Sequence, residues 1–409
     1  MKAERTYPRY TVTPKAEAAI LRGHPWVYGQ EVLSAEGEPE NGALVDVLSR
    51  KGRYLGTGFL SERSKIRVRL LSRNANDRFD EAFWRRKLQW AWEYRKTVME
   101  PQDLDCCRII FGEADAFPGL TVDKFHDLLS VQVLSMGMER IKGMLLPMLA
   151  EVLRRDGQTI QGIYERNEVS LRDKEGLPQH KGWFPLPGET PPASPLTEIT
   201  ENGIRYLVDV ENGQKTGFFL DQKYNRRCVG RLAAGKTVLD CFTHTGSFAL
   251  NAALGGAKHV TAVDVSEGAV EMARANAARN GLEGRMDFLA ADVFDLLPRL
   301  EKEPPRYDFI ILDPPAFTKS RKTVTNAMAG YKEINYRAMR LLPRGGYLAT
   351  CSCSHFAEES RFLAMLQDAA HDAGVQLRQI EARQQSCDHP ILWGVEETNY
   401  LKFYLFQVI

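Results

Sequence analysis

The sequence has no apolar run close to the roughly 18–20 residues that span a bilayer, so no membrane segment is expected. Its first residues, Met1-Lys2-Ala3-Glu4-Arg5, lack the apolar core of a secretion signal. Cysteine is scarce. Seven thiols in 409 residues, an odd number without paired spacing, exclude a disulfide framework as the default and point to reduced thiols in the cytoplasm. There is no internal repeat and no compositional bias toward disorder, and a 44% hydrophobic content can fill real cores. Two phosphate-binding signatures are missing from the turn at Asp240–Phe248: it holds no G-x-G-x-x-G and no P-loop Lys-Ser/Thr.

The net charge of +1 would not by itself suggest a nucleic-acid partner. It hides an asymmetry. Residues 1–100 hold 19 Lys and Arg against 13 Asp and Glu, and the remainder is acidic by about the same margin. Within the basic part, Lys65-Ile66-Arg67-Val68-Arg69-Leu70 alternates with period two. As a strand it sets Lys65, Arg67 and Arg69 on one face, where they could contact phosphates or simply meet solvent.

Three regions follow from the patterning, at about 1–75, 76–190 and 191–409. The first reads as short strands with one helix, Lys15 to Leu21, and predicts a small β-barrel. The second predicts a compact α+β domain, with helices at Phe79–Met99 and near Ile141–Arg154 and a strand near Ile160–Glu165. A Pro-rich stretch from Pro185 to Pro195 has linker composition. Beyond it, strands and helices alternate: Thr237–Asp240, a helix from Ser247, His259–Asp264, a helix at Ala269–Asn280, Met286–Leu289, Phe309–Leu312, Tyr331–Leu342 as a helix, and Tyr347–Ala349. That order predicts an α/β, doubly wound parallel sheet.

The first strand-turn-helix reads Asp240-Cys241-Phe242-Thr243-His244-Thr245-Gly246-Ser247. With one glycine, this turn suits a ligand without phosphates. Asp240 can hold an ammonium, Asp264 at the end of the second strand can accept both ribose hydroxyls, and Asp292 after the third can accept from an adenine amino group. Phe242, Thr243, Thr245 and Gly246 complete the turn. Any one Asp is commonly a cap. The ordered set describes S-adenosylmethionine.

Asp313-Pro314-Pro315 and Thr350-Cys351-Ser352-Cys353-Ser354 each close an apolar run, so a carboxylate, a rigid turn and a thiol are expected in one crevice. These stretches, with Arg22-Gly23-His24-Pro25-Trp26-Val27-Tyr28 and Lys215-Thr216-Gly217-Phe218-Phe219-Leu220-Asp221-Gln222, resemble the large-subunit ribosomal RNA cytosine-C5 methyltransferase I family over nearly the whole chain. The resemblance implies an N-terminal PUA domain for RNA, a central α+β domain and a C-terminal Rossmann-like class I methyltransferase domain. It further implies that Lys215, Thr216, Phe218 and Gln222 belong to a segment closing over the cofactor, and that Arg22 and His24 serve RNA binding. Ribosomal RNA is then the expected partner, and a homodimer is compatible with the layout.

The chemistry follows from the acceptor. C5 of cytosine is a poor nucleophile until a thiolate adds to C6 and turns C5 into an enamine carbon. Motif match favours Cys351 as that thiolate, with Cys353 as the alternative, and Asp313 would grip the N3/N4 edge of the base. No cysteine follows the Asp-Pro motif, which leaves His355 as a candidate base for the C5 proton. Cys-x-Cys-x-His is tighter than structural zinc spacing, so no metal is expected. Two rivals stand beside this reading. One is methylation of an exocyclic amine or guanine N7, with Pro314 and Phe317 against the base and no covalent step. The other is a non-catalytic RNA-binding protein.

Overall fold

The computed structural model describes residues 5–304, 306–318 and 323–409. The chain forms two compact units. The first comprises Met1–Ile199, Leu207–Leu220 and Cys387–Thr398; the second comprises Thr200–Tyr206, Asp221–Ser386 and Asn399–Ile409.

The first unit holds two sheets, each with its own core. A six-stranded sheet runs Trp26–Tyr28, Ile66–Ser72, Tyr54–Leu60, Leu44–Ser49, Arg9–Val12 and Val32–Ala35 in spatial order. Val12, Ile20, Val27, Val45, Val47 and Val68 fill its interior. The expected early helix is Pro14–Leu21, opened by Pro14 and capped by Thr13, whose Oγ1 accepts from Ala16 N at 3.3 Å. A five-stranded sheet runs Lys181–Phe184, Gly162–Arg166, Leu128–Val133, Leu120–Phe125 and Cys106–Phe111. Helices Glu81–Val98 and Met136–Arg155 belong to this second part. The latter starts five residues before the expected Ile141, at a point where Gly137 lets the backbone lie against the Phe59 ring.

The return of 387–398 to the first unit was not expected from the sequence. Buried Arg95 explains it: its guanidinium pairs with Asp115 at 2.6 Å and donates to Asp388 O at 2.8 Å. Arg108 N adds a bond to Asp388 Oδ2 at 2.9 Å.

The second unit is built on seven strands: β1 (Thr237–Cys241), β2 (His259–Asp264), β3 (Met286–Ala290), β4 (Phe309–Leu312), β5 (Tyr347–Ser352), β6 (Leu377–Arg383) and β7 (Lys402–Val408). Their spatial order is β3-β2-β1-β4-β5-β7-β6. The first five are parallel, as the alternation predicts; β7 runs antiparallel between β5 and β6, and β6, antiparallel to β7, points the same way as the first five. All four residues of β4 are fully buried, which explains its unbroken apolar run. Strand order reverses between β1 and β4, the place where an open α/β sheet forms its ligand crevice. The expected helix at Tyr331–Leu342 spans Val324–Leu341.

Candidate active site

Three neighbouring strands end at this crevice. Asp240 lies near the end of β1, Asp313 follows β4, and Cys351 lies near the end of β5. Register sets them side by side, with Cys241 opposite Leu312 and Leu312 opposite Thr350.

The turn after β1 is unusual in its backbone. Phe242 and His244 adopt left-handed φ values of 66° and 50°, which side chains ordinarily avoid, and Gly246 follows at 80°. A Cβ at Gly246 would sit 2.9 Å from the Ala273 Cβ, so only glycine fits at the start of helix Ser247–Leu254. The turn wraps Asp240: its Oδ2 accepts from Thr243 Oγ1 at 2.7 Å and from Ala249 N at 3.0 Å. Oδ1 is buried with no hydrogen-bond partner among the described residues, and so is Thr245 Oγ1. Burial, with the Asp313 and Asp264 charges behind it, pushes the Asp240 carboxyl up to about 7.

Asp264 accepts His244 N and Ser266 N, each at 3.0 Å, and so ties the first turn to the second. Asp292 caps helix Val293–Leu300 by accepting Phe294 N at 2.8 Å. Its local duty is therefore the cap. Asp313 accepts from Gln222 Nε2 at 3.0 Å, and burial, then the Asp221 charge, push its carboxyl up to about 6. Asp221 itself was not anticipated as a site residue. Its Oδ2 accepts the Tyr400 hydroxyl at 2.6 Å and its buried Oδ1 has no partner among the described residues. The compensating cation in the neighbourhood, Arg226, is engaged by Glu201 at 2.6 Å.

This pocket holds carboxylates in excess of positive charge and offers orphaned buried acceptors. A ligand carrying an ammonium and a sulfonium supplies what it lacks, so the residues fit S-adenosylmethionine.

The two thiols differ. Cys351 is fully buried, hydrogen-bonds to Gln222 and Asp313, and is pushed well above the ordinary thiol range by burial and then by the Asp313 charge. Cys353 lies one residue beyond β5 and is half-buried. Beneath this stretch the Tyr331 hydroxyl meets Ser352 Oγ at 3.1 Å and Ser354 Oγ at 2.9 Å. Phe317 packs its ring 4.7 Å from the Tyr331 ring, Pro314 is buried, and His355 is exposed.

The remaining sequence candidates lie in the first unit. Lys215 is exposed, Thr216 Oγ1 donates to buried Asp123 at 2.5 Å, and Phe218 is buried. Arg22 is exposed, and His24 lies 4.0 Å from Glu397. The face of three open cations narrows: Lys65 is exposed and Arg67 donates to Glu62 O, but Arg69 is spent on Glu113 at 3.2 Å and Glu175 at 3.0 Å. Those acids come from residues far along the chain, so local alternation could not reveal them.

A family model for S-adenosylmethionine-dependent methyltransferases matches residues 187–407, and one for PUA-like domains matches residues 11–73. The ribosomal RNA large subunit methyltransferase I of Klebsiella pneumoniae (strain 342) is 38% identical over 404 residues, covering 98% of this chain and 99% of that protein. That of Aeromonas salmonicida (strain A449) is 40% identical over 387 residues, covering 94% and 96%. A solved structure of a proposed SAM-dependent methyltransferase from Streptococcus mutans shares the fold at a TM-score of 0.80 and 23% identity, covering 98% of this chain and 99% of that one. Another, of a proposed methyltransferase complexed with SAH, has a TM-score of 0.82 at 23% identity over the same shares. The chain belongs to the ribosomal RNA large subunit methyltransferase I family and is an S-adenosylmethionine-dependent methyltransferase with a PUA-like domain.

Proposed function

We propose that the chain methylates C5 of a cytosine in large-subunit ribosomal RNA through a transient thioether to C6, with Cys353 as the nucleophile. The relatives' names supply the RNA class. One observation carries the atom: thiols stand at the end of β5, next to the carboxyl at the end of β4, where a methylated exocyclic amine or guanine N7 would need none.

The motif preference for Cys351 gives way to burial and charge. A thiolate at Cys351 would be desolvated and would face the Asp313 carboxylate, both of which oppose it. Cys353 is open enough to meet a base turned out of its stack. Cys351 then acts through Asp313, donating its S–H to the carboxylate and fixing its direction together with Gln222.

The bound cofactor supplies an electrophilic methyl group. Cys353 adds its sulfur to C6, and the electron pair displaced from the C5–C6 bond makes C5 nucleophilic. Asp313, with a carboxyl near 6, is suited to give a proton toward N3 as charge builds there and to take it back on elimination. Transfer of the C5 proton to a base, for which exposed His355 two residues beyond Cys353 is the candidate, and expulsion of the thiolate restore the aromatic ring. Asp240 and Asp221 hold the cofactor's cationic groups in this reading, Asp264 its ribose and Asp292 its base.

Nucleoside mass spectrometry of large-subunit RNA from cells with and without this gene tests the assignment. Loss of one 5-methylcytidine supports it; loss of an N-methylated base instead would favour the non-covalent reading. Phe317 speaks against the latter, because its ring is packed on Tyr331.

A further inference from the structure

Lys402 begins β7, opposite Ser352 in the antiparallel register with β5. Its side chain is buried, and its Nζ donates to Ser354 O at 2.8 Å and Ala357 O at 2.9 Å. The loop after Cys353 is thus folded around an ammonium. An ammonium that spends its donors on two neutral carbonyls in a buried site still lacks a counter-charge. Burial lowers Lys402 to about 8, while two groups oppose that shift, Cys353 first and Glu359 second. Glu359 is exposed and already accepts the Tyr404 hydroxyl. Among the described residues, Tyr331 from helix Val324–Leu341 and buried Cys351 from its own strand also feel Cys353, and both are raised above their ordinary values and neutral at working pH; His355, two residues on, is exposed.

We infer that Lys402 is a positioning residue for Cys353: it sets the loop by its two carbonyl bonds and stabilises the thiolate by its charge. The inference rests on Cys353 being the nucleophile, but the coupling between the two side chains can be measured without that assumption. Nothing in the sequence near Lys402 announces this role, since the contact exists only through the return of β7 beside β5.

The test is the pH dependence of iodoacetamide alkylation at Cys353, read by peptide mass mapping on the full chain. Lys402→Gln keeps a donor for the carbonyls and removes the charge. Its alkylation midpoint should rise by about one pH unit or more, while Lys402→Arg should stay near the parent. In methylation assays Lys402→Gln should lose kcat roughly tenfold, with KM for RNA little changed and partial recovery at higher pH. An unchanged midpoint in Lys402→Gln overturns the inference. Should that variant fail to fold, the parent's own alkylation midpoint serves: it should lie below the ordinary thiol value of about 8.5, and a midpoint at or above that value overturns the inference. A shifted midpoint in Lys402→Gln together with full methylation by Cys353→Ala would keep the coupling and reject Cys353 as nucleophile.

Discussion

Asp313, one residue past β4, acts electrostatically on Asp240 of the adjacent strand β1, adding its charge to the burial that already raises the Asp240 carboxyl. Two acids near 7 and near 6 in one crevice make the cofactor's positive charge part of the site's own balance.

Binding of S-adenosylmethionine should therefore weaken as pH falls. Protons taken up by Asp240 near 7 and Asp313 near 6 compete with the cationic ligand, so Kd should rise between pH 8 and pH 5.5. Titration calorimetry in buffers of different ionisation enthalpy should register proton release on binding near pH 6.5. A Kd that is flat over this range would contradict the carboxylate-rich pocket.

Asp240→Asn separates binding from stability. Because the folded-state value lies above the unfolded one, the folded chain holds the extra proton between about pH 4 and 7, and stability of the ligand-free protein falls as pH rises through that window. Above it the full cost of a buried, unneutralised carboxylate is present. The amide removes that cost and can still accept from Thr243 and Ala249. At pH 8 the variant should gain roughly 1–2 kcal/mol, a few degrees in Tm, while losing cofactor affinity by more than tenfold. A lower Tm at pH 8 would sink this reading.

Gly246→Ala should cost roughly 2 kcal/mol or more, because a left-handed φ and a contact with Ala273 both oppose a Cβ. Thermal melts and cofactor titration should show both properties damaged together. A variant that melts like the parent would mean that the turn can relax.

Lys65 and Arg69 should diverge despite sharing a strand face. Lys65→Ala should leave the melt unchanged and lower the salt dependence of RNA binding by about one ion. Arg69→Ala should destabilise the first unit by roughly 1–3 kcal/mol, since it strands Glu113 and Glu175. Equal effects on the salt slope would restore Arg69 as a phosphate contact.

Much of the second unit was legible because its strands are apolar and end in a chemically distinctive residue: Phe309–Leu312, buried on both faces, before Asp313, and the strand holding buried Val260, Ala262 and Val263 before Asp264. Glycine at 246, with no phosphate-binding glycines beside it in the Asp240–Phe248 turn, narrows the ligand from the sequence itself. What stayed hidden depends on pairing between distant segments. The antiparallel return of β7 brings Lys402 to the Cys353 loop, Arg95 recruits residues 387–398, and Arg69 finds its acids at 113 and 175. Period-two alternation predicts which side a residue takes, not which charge it will meet there. The choice between Cys351 and Cys353 also turned on burial, which adjacent motif residues cannot report.

The covalent step can be seen directly. A large-subunit RNA fragment containing 5-fluorocytidine, incubated with the protein and S-adenosylmethionine, should trap the thioether, because fluorine at C5 cannot leave as a proton. Denaturing gels and intact-mass measurement should show the RNA-linked protein for the parent and for Cys351→Ser, and none for Cys353→Ala. No adduct with the parent, or an adduct that persists in Cys353→Ala and disappears in Cys351→Ser, would contradict the proposed mechanism.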